Sequence, residues 1–134
     1  MIEIRKNDLS VEEYYELYSS VGWHTPPKEQ IEKALQNSLL TVKAEIDKAT
    51  VGMGRLIGDG SLSFMIKDVA VLPKYQRQGI GKKMMESMID HIKKQIPKGQ
   101  NVCVELFSGF EKETFYEQFG FVGYGMMMLE AGER

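Results

Sequence analysis

The sequence predicts an α/β (α+β) fold, a mixed sheet with helices packed on it, in the order β-α-α-β-β-β-α-β-α-β. Three observations carry this. Short stretches alternate polar and apolar residues or run β-branched, as strands do. One long stretch instead repeats apolar residues every four positions, Ile80, Met84, Met88 and Ile92, as an amphipathic helix does. Prolines and glycines mark boundaries and gather into no linker, and there is no internal repeat, so residues 1–134 read as a single domain.

Ile2 and Ile4 alternate with Glu3 and Arg5 as a short first strand. Ser10 is placed to cap a helix, with Glu12 and Glu13 in the first turn, where the helix dipole favours acids. Tyr14, Leu17, Tyr18 and Val21 form its apolar stripe, and Gly22 ends it. After a loop over 23–27, Ile31, Ala34 and Leu35 mark the inner face of a second helix. Residues 38–44, 49–57 and 61–72 read as three strands, with Gly58-Asp59-Gly60 as a turn and Pro73 as a stop. The long helix follows, its stripe widened by Met85, Ile89 and Ile96. Lys82/Glu86 and Asp90/Lys94 are spaced to pair on its wet side. Val102, Val104 and Leu106 alternate as the next strand; 111–119 reads as a short helix and 121–129 as a last strand.

Composition removes several function classes. Seventeen Lys plus Arg against nineteen Asp plus Glu leave a net charge of −2, which argues against a nucleic-acid surface. Hydrophobic residues at 43% and charged residues at 27% are ordinary for a globular chain and unlike disorder. The single cysteine, Cys103, excludes an internal disulfide framework and a multi-cysteine zinc site, and no metal is expected. No run approaches the ~18 apolar residues of a membrane span. The opening MIEIRKNDLS lacks the apolar core of a secretory signal. The expectation is a cytoplasmic protein with no nucleic-acid or membrane partner.

The most informative stretch runs from Val69 to Lys83, where a strand enters a short loop that opens the longest helix. A helix start presents unpaired N–H groups and the positive end of the dipole, and glycines let an anion approach them. That arrangement suits a pyrophosphate. The P-loop pattern fails, because Gly81-Lys82 is followed by Lys83 and Gln76 stands at the first glycine position. The dinucleotide pattern fails at Met84. What stands is Q-x-x-G-x-G, as Gln76, Gly79 and Gly81.

Preceded by Val69-Ala70-Val71-Leu72-Pro73, this motif resembles the acyl-CoA loop of the GCN5-related N-acetyltransferases, the GNAT superfamily. The family's second landmark, F-Y-x-x-x-G-F, is matched by Phe115-Tyr116-Glu117-Gln118-Phe119-Gly120-Phe121. Similarity is strongest from Thr50 to Tyr124. Gly109 and Lys112 stand where many members have Asn and Ala, a departure that bears on a side-chain contact to the pantetheine arm.

The resemblance implies a mostly antiparallel sheet with helices on both faces, and a single GNAT domain. It implies an acetyl-CoA-dependent N-acetyltransferase in which a primary amine attacks the thioester directly. The backbone of Val69, Ala70 and Val71 would meet the pantetheine. The loop residues Gln76, Arg77, Gln78, Gly79, Ile80, Gly81 and Lys82 would hold the pyrophosphate, with added charge from Arg77, Lys82 and Lys83. Tyr116 falls at the family's general-acid position; its other reading is a half-buried core tyrosine. For the base, strand alternation puts Asp68 on one face with Ile66, Ala70 and Leu72, in apolar company that would raise its pKa; a structural role is equally open. Glu105, sharing a face with Cys103 and Phe107, is the second candidate. Cys103 reads as a small core hydrophobe, His24 as a surface residue and His91 as solvent-facing. Met126-Met127-Met128 reads as an adaptable lining or as core. The expected acceptor is a small-molecule amine. The alternatives are a peptide or protein lysine, a non-catalytic CoA sensor, and a different nucleotide-binding module. The resemblance also allows a homodimer formed through a sheet edge or residues 124–129.

Overall fold

The computed structural model describes residues 1–125 and 127–132. Five strands form one sheet in the order β1-β2-β3-β4-β5: β1 (Ile2–Lys6), β2 (Leu40–Ile46), β3 (Ala49–Gly58), β4 (Ser63–Val71) and β5 (Cys103–Leu106). The first four are antiparallel neighbours and β5 joins β4 in parallel, so the sheet is mixed. Among the described residues four α-helices pack with it: α1 (Val11–Ser20), α2 (Lys28–Gln36), α3 (Ile80–Gln95) and α4 (Glu113–Glu117).

Local chemistry accounts for the boundaries. Ser10 caps α1 through a capping box: its hydroxyl accepts from Glu13 N–H at 3.1 Å, and its own N–H donates to Glu13 Oε1 at 2.9 Å. Ile46 pairs with Ala49 across a two-residue turn in which Asp47 and Lys48 both have positive φ, the twist that a tight hairpin needs. Asp59 holds the next turn by accepting from three backbone N–H groups, those of Ser61, Leu62 and Ser63.

The two faces of the sheet differ. On one, α3 buries Ile80, Met84, Met85, Met88 and Ile92 against Leu40, Val42, Ala44, Leu56, Phe64 and Ile66. Each fully buried methionine contributes about 1.5–3 kcal/mol of burial. A Cβ on Gly54 would stand 2.9 Å from Met88 Cε, so bare backbone lets α3 settle onto β3. On the other face, α1 and α2 lay Tyr14, Leu17 and Ile31 over Met53 and Ala70. This face also buries charge. Lys43 is 7% exposed, with Glu13 at 3.0 Å, Glu45 at 3.5 Å and Asp8 at 3.6 Å. Glu13 also accepts from the Thr50 hydroxyl. Burial opposes its ionisation, but the hydrogen bonds from Thr50, Ser10 and Lys43 outweigh it and hold Glu13 down at about 2.

Four expectations are corrected. No strand forms among the described residues of 121–129; Met126 lies outside them. Val122, Tyr124, Met127 and Leu129 are exposed there, so the apolar composition marked no buried strand, and Gly123 and Gly125 interrupt it. Cys103 is exposed rather than core, because α1 and α2 do not cover its face of β5. Along α3, neither Lys82/Glu86 nor Asp90/Lys94 forms an ion pair among the described residues. His91 is half-buried and bonds Gln95 at 2.8 Å.

Candidate active site

β4 and β5 pair only from Ser63↔Cys103 to Ile66↔Leu106. Among the described residues no strand pairs with that edge of β4 beyond Ile66, so it is open through Val71, while its other edge stays on β3 as far as Gly52↔Val71. Leu72 N–H donates to Val51 carbonyl at 2.9 Å across β3. By strand alternation, Val71 therefore directs its own N–H and carbonyl to the open edge. Gln76 Nε2 reaches that carbonyl at 3.0 Å. Gln76 thus ties the loop to the strand end rather than pointing into the helix start.

The loop then curls tightly, with Arg77 at φ 65 and Gly79 at φ 82. Gly79 caps α3 without a side chain, and its carbonyl takes the first helical bond, from Lys83 N–H at 3.1 Å. The N–H groups of Ile80, Gly81 and Lys82 therefore lack helical partners. A Cβ on Gly79 would meet nothing within 4 Å, so the cradle is open in front of them. Arg77, Gln78, Lys82 and Lys83 are exposed around it, and the first turn of α3 holds no acid. Ile80 is 1% exposed, so only its backbone is available to a ligand. The set combines N–H donors without helical partners, the positive end of a 16-residue helix and exposed cations. It fits a phosphate or pyrophosphate.

Gly81 serves a second purpose. A Cβ there would come 3.2 Å from Phe115 Cζ, so the glycine lets α4 dock on the first turn of α3. The next residue along α4, Tyr116, belongs to the core cluster packed under α3. Tyr116 is 9% exposed, edge-on to Phe115 at 5.0 Å and Phe121 at 6.3 Å. Burial raises its pKa, which keeps the phenol protonated at neutral pH.

The base candidates lie on the opposite face. Asp68 takes φ 57 in a β-bulge, where the register with β3 slips between Met53↔Ala70 and Arg55↔Lys67. The extra residue resets the alternation. Ile66 packs on the α3 side and Ala70 on the α1/α2 side, so the expectation that Ile66, Asp68 and Ala70 share a face is corrected. The Asp68 surroundings are polar, too. Its Oδ2 accepts from Arg55 Nε at 2.5 Å and from the Tyr14 hydroxyl at 2.7 Å. Glu105 is exposed, opposite Met65, with the Cys103 thiol at 3.5 Å. That contact raises the Cys103 pKa and keeps the thiol neutral. Phe107, on the same face, lies under Lys67 Nζ at 5.7 Å. Trp23 is exposed and T-stacked on Tyr18, while His24 is exposed in the same loop. Arg55 and Tyr14 were missed as site-forming residues in the sequence; the one available signal was the polar pair Lys67-Asp68 inside an apolar strand.

Comparison with known proteins shows the family to which this fold belongs. The family model described as an acetyltransferase (GNAT) domain matches residues 7–133. An uncharacterised N-acetyltransferase from Prochlorococcus marinus is 35% identical over 122 residues, covering 88% of this chain and 64% of that protein. A probable acetyltransferase structure from Staphylococcus aureus superposes with TM-score 0.88 at 32% identity, covering 98% of this chain and 100% of that one. A GNAT family structure from Streptococcus pneumoniae gives 0.81 at 33% identity, covering 98% and 100%. The chain spans 57–66% of the length of five curated relatives named as N-acetyltransferases. With a model match over nearly its whole length, the chain belongs to the GNAT acetyltransferase family.

Proposed function

We propose that the chain is an acetyl-CoA-dependent N-acetyltransferase acting as one domain on a small-molecule primary amine. The observation that carries this is the opening of β4 beyond Ile66, next to the bare start of α3. The pantetheine would lie along the open edge at Val69, Ala70 and Val71. The pyrophosphate would meet the N–H groups at Gln78–Lys82, with Arg77 and Lys82 adding charge. In this reading Tyr116, in the cluster under α3, would be the acid, and Glu105 of β5, paired beside Met65, the base. In the reaction the amine nitrogen bonds to the thioester carbonyl carbon and the C–S bond breaks. The amine proton passes to Glu105 or to water, and the leaving sulfur takes its proton from Tyr116. The Val71 N–H on the open edge is the candidate donor to the developing oxyanion. The exposed Trp23, Phe107 and Glu105 offer an aromatic and acidic approach suited to a cationic amine. A cytoplasmic, homodimeric state is part of the same reading. No helix among the described residues is long and apolar enough to cross a membrane.

Calorimetric titration with acetyl-CoA, with ATP and NAD as controls, tests the reading. Selective binding is expected, followed by CoA release when amines are added. Tyr116→Phe is expected to bind acetyl-CoA normally and to turn over about 100-fold more slowly. Absence of acetyl-CoA binding by folded protein would overturn the assignment.

A further inference from the structure

Four side chains, from β4, α1, β3 and the loop after α2, gather at the β4 bulge. Asp68 sits at φ 57, a left-handed conformation that few non-glycine residues adopt, though Asp and Asn tolerate it better than most. Its side chain is 11% exposed. Oδ2 is held from two sides, by Tyr14 of α1 and Arg55 of β3. Arg55 in turn reaches the Ser38 hydroxyl at 3.4 Å, in the segment leaving α2. Burial and the Asp68 charge together raise the Tyr14 pKa, so its hydroxyl stays a donor. Asp68 immediately precedes Val69, within the stretch of β4 whose edge is open beyond Ile66, and the bulge decides which way Ala70 and Val71 face.

We infer that Asp68, pinned by Arg55 and Tyr14, is a positioning residue that fixes the β4 bulge and thereby the geometry of the cofactor-binding edge, rather than the base that takes the amine proton. This rests on the acetyl-CoA reading above for its functional consequence, but its structural part stands without it. A carboxylate shared between a guanidinium and a phenol is already saturated at Oδ2, and protonating it would break the ion pair with Arg55. A polar network joining α1, β3 and β4 at a strained residue gives that strand segment one arrangement instead of several.

Two variants test it. Asp68→Asn keeps a residue tolerant of positive φ and removes the charge. Tyr14→Phe removes one donor and leaves the buried ring. The first readout needs no ligand: amide exchange at Leu72, whose N–H is bonded to Val51. Exchange about tenfold faster is expected in Tyr14→Phe, and more in Asp68→Asn. The second is acetyl-CoA affinity, expected to weaken about tenfold in Asp68→Asn and three- to fivefold in Tyr14→Phe. The third is the pH profile of kcat, whose acidic limb is expected to persist in Asp68→Asn. Folded variants with wild-type exchange and affinity overturn the inference. Loss of the acidic limb with affinity unchanged overturns it in favour of a base. If wild-type protein binds no acetyl-CoA, the proposed function has failed, and the exchange readout still decides the lock. Should Asp68→Asn not fold, Tyr14→Phe carries the test.

Discussion

The α3 face and the α1/α2 face of the sheet hold the molecule by different means. Under α3 lies a dry layer of methionine, isoleucine and leucine. Under α1 and α2 the apolar cluster is smaller, and beside it run two charge networks, Lys43 with Glu13 and Arg55 with Asp68. Apolar burial is non-directional and tolerates small shifts. A buried ion pair adds little net stability but penalises every arrangement that separates the charges. One face thus supplies cohesion and the other supplies register, and the face that supplies register borders the open strand edge.

The largest expected effect breaks the dry face. Met88→Asp would put an unpaired carboxylate against Gly54 and Val42, at a cost of about 4–5 kcal/mol, a large share of the roughly 5–15 kcal/mol that holds a domain folded. Urea unfolding should show a native state lost or barely populated. The next sharpens the separation between platform and binding loop. Gly79 borders open space, so Gly79→Glu should fold with a modest penalty from positive φ. A carboxylate in the anion cradle should weaken acetyl-CoA binding at least ~100-fold, about 2.7 kcal/mol, measured by calorimetry. The smallest concerns the polar face alone. Glu13 is held near 2 when folded against 4.5 otherwise, so the stability it adds is present above about pH 4.5 and lost as pH falls through 2. The effect is on the order of 1–2 kcal/mol after allowance for partial solvation. Unfolding midpoints measured across this range should fall in the native protein and fall less steeply in Glu13→Gln.

What the sequence revealed divides along the same line. The four-residue repeat Ile80–Met84–Met88–Ile92 is a local signal, and all four residues are buried as it predicts. The motif at Gln76, Gly79 and Gly81 is likewise local, and so were the loop and the helix start. The partners on the polar face were not legible. Tyr14 and Asp68 are 54 positions apart, and nothing in either neighbourhood names the other. The bulge was invisible for a related reason: period two is a rule for regular strands, and one left-handed residue reverses it for everything downstream. Residues 121–129 misled by composition, since apolar residues describe a strand only when something covers them.

The methionines carry a chemical consequence of this packing. Met84, Met85 and Met88 of α3 are 0% exposed, while Met1, Met127 and Met128 are 65% exposed or more. Peroxide converts accessible thioethers to sulfoxides and reaches buried ones only when the structure opens. The molecule therefore holds a built-in chemical clock: the terminal thioethers record exposure to oxidant, and the sheltered ones record how often α3 lifts from the sheet. Once oxidised, the sheltered set could no longer repack as a dry layer, so an opening that would otherwise reverse becomes permanent damage.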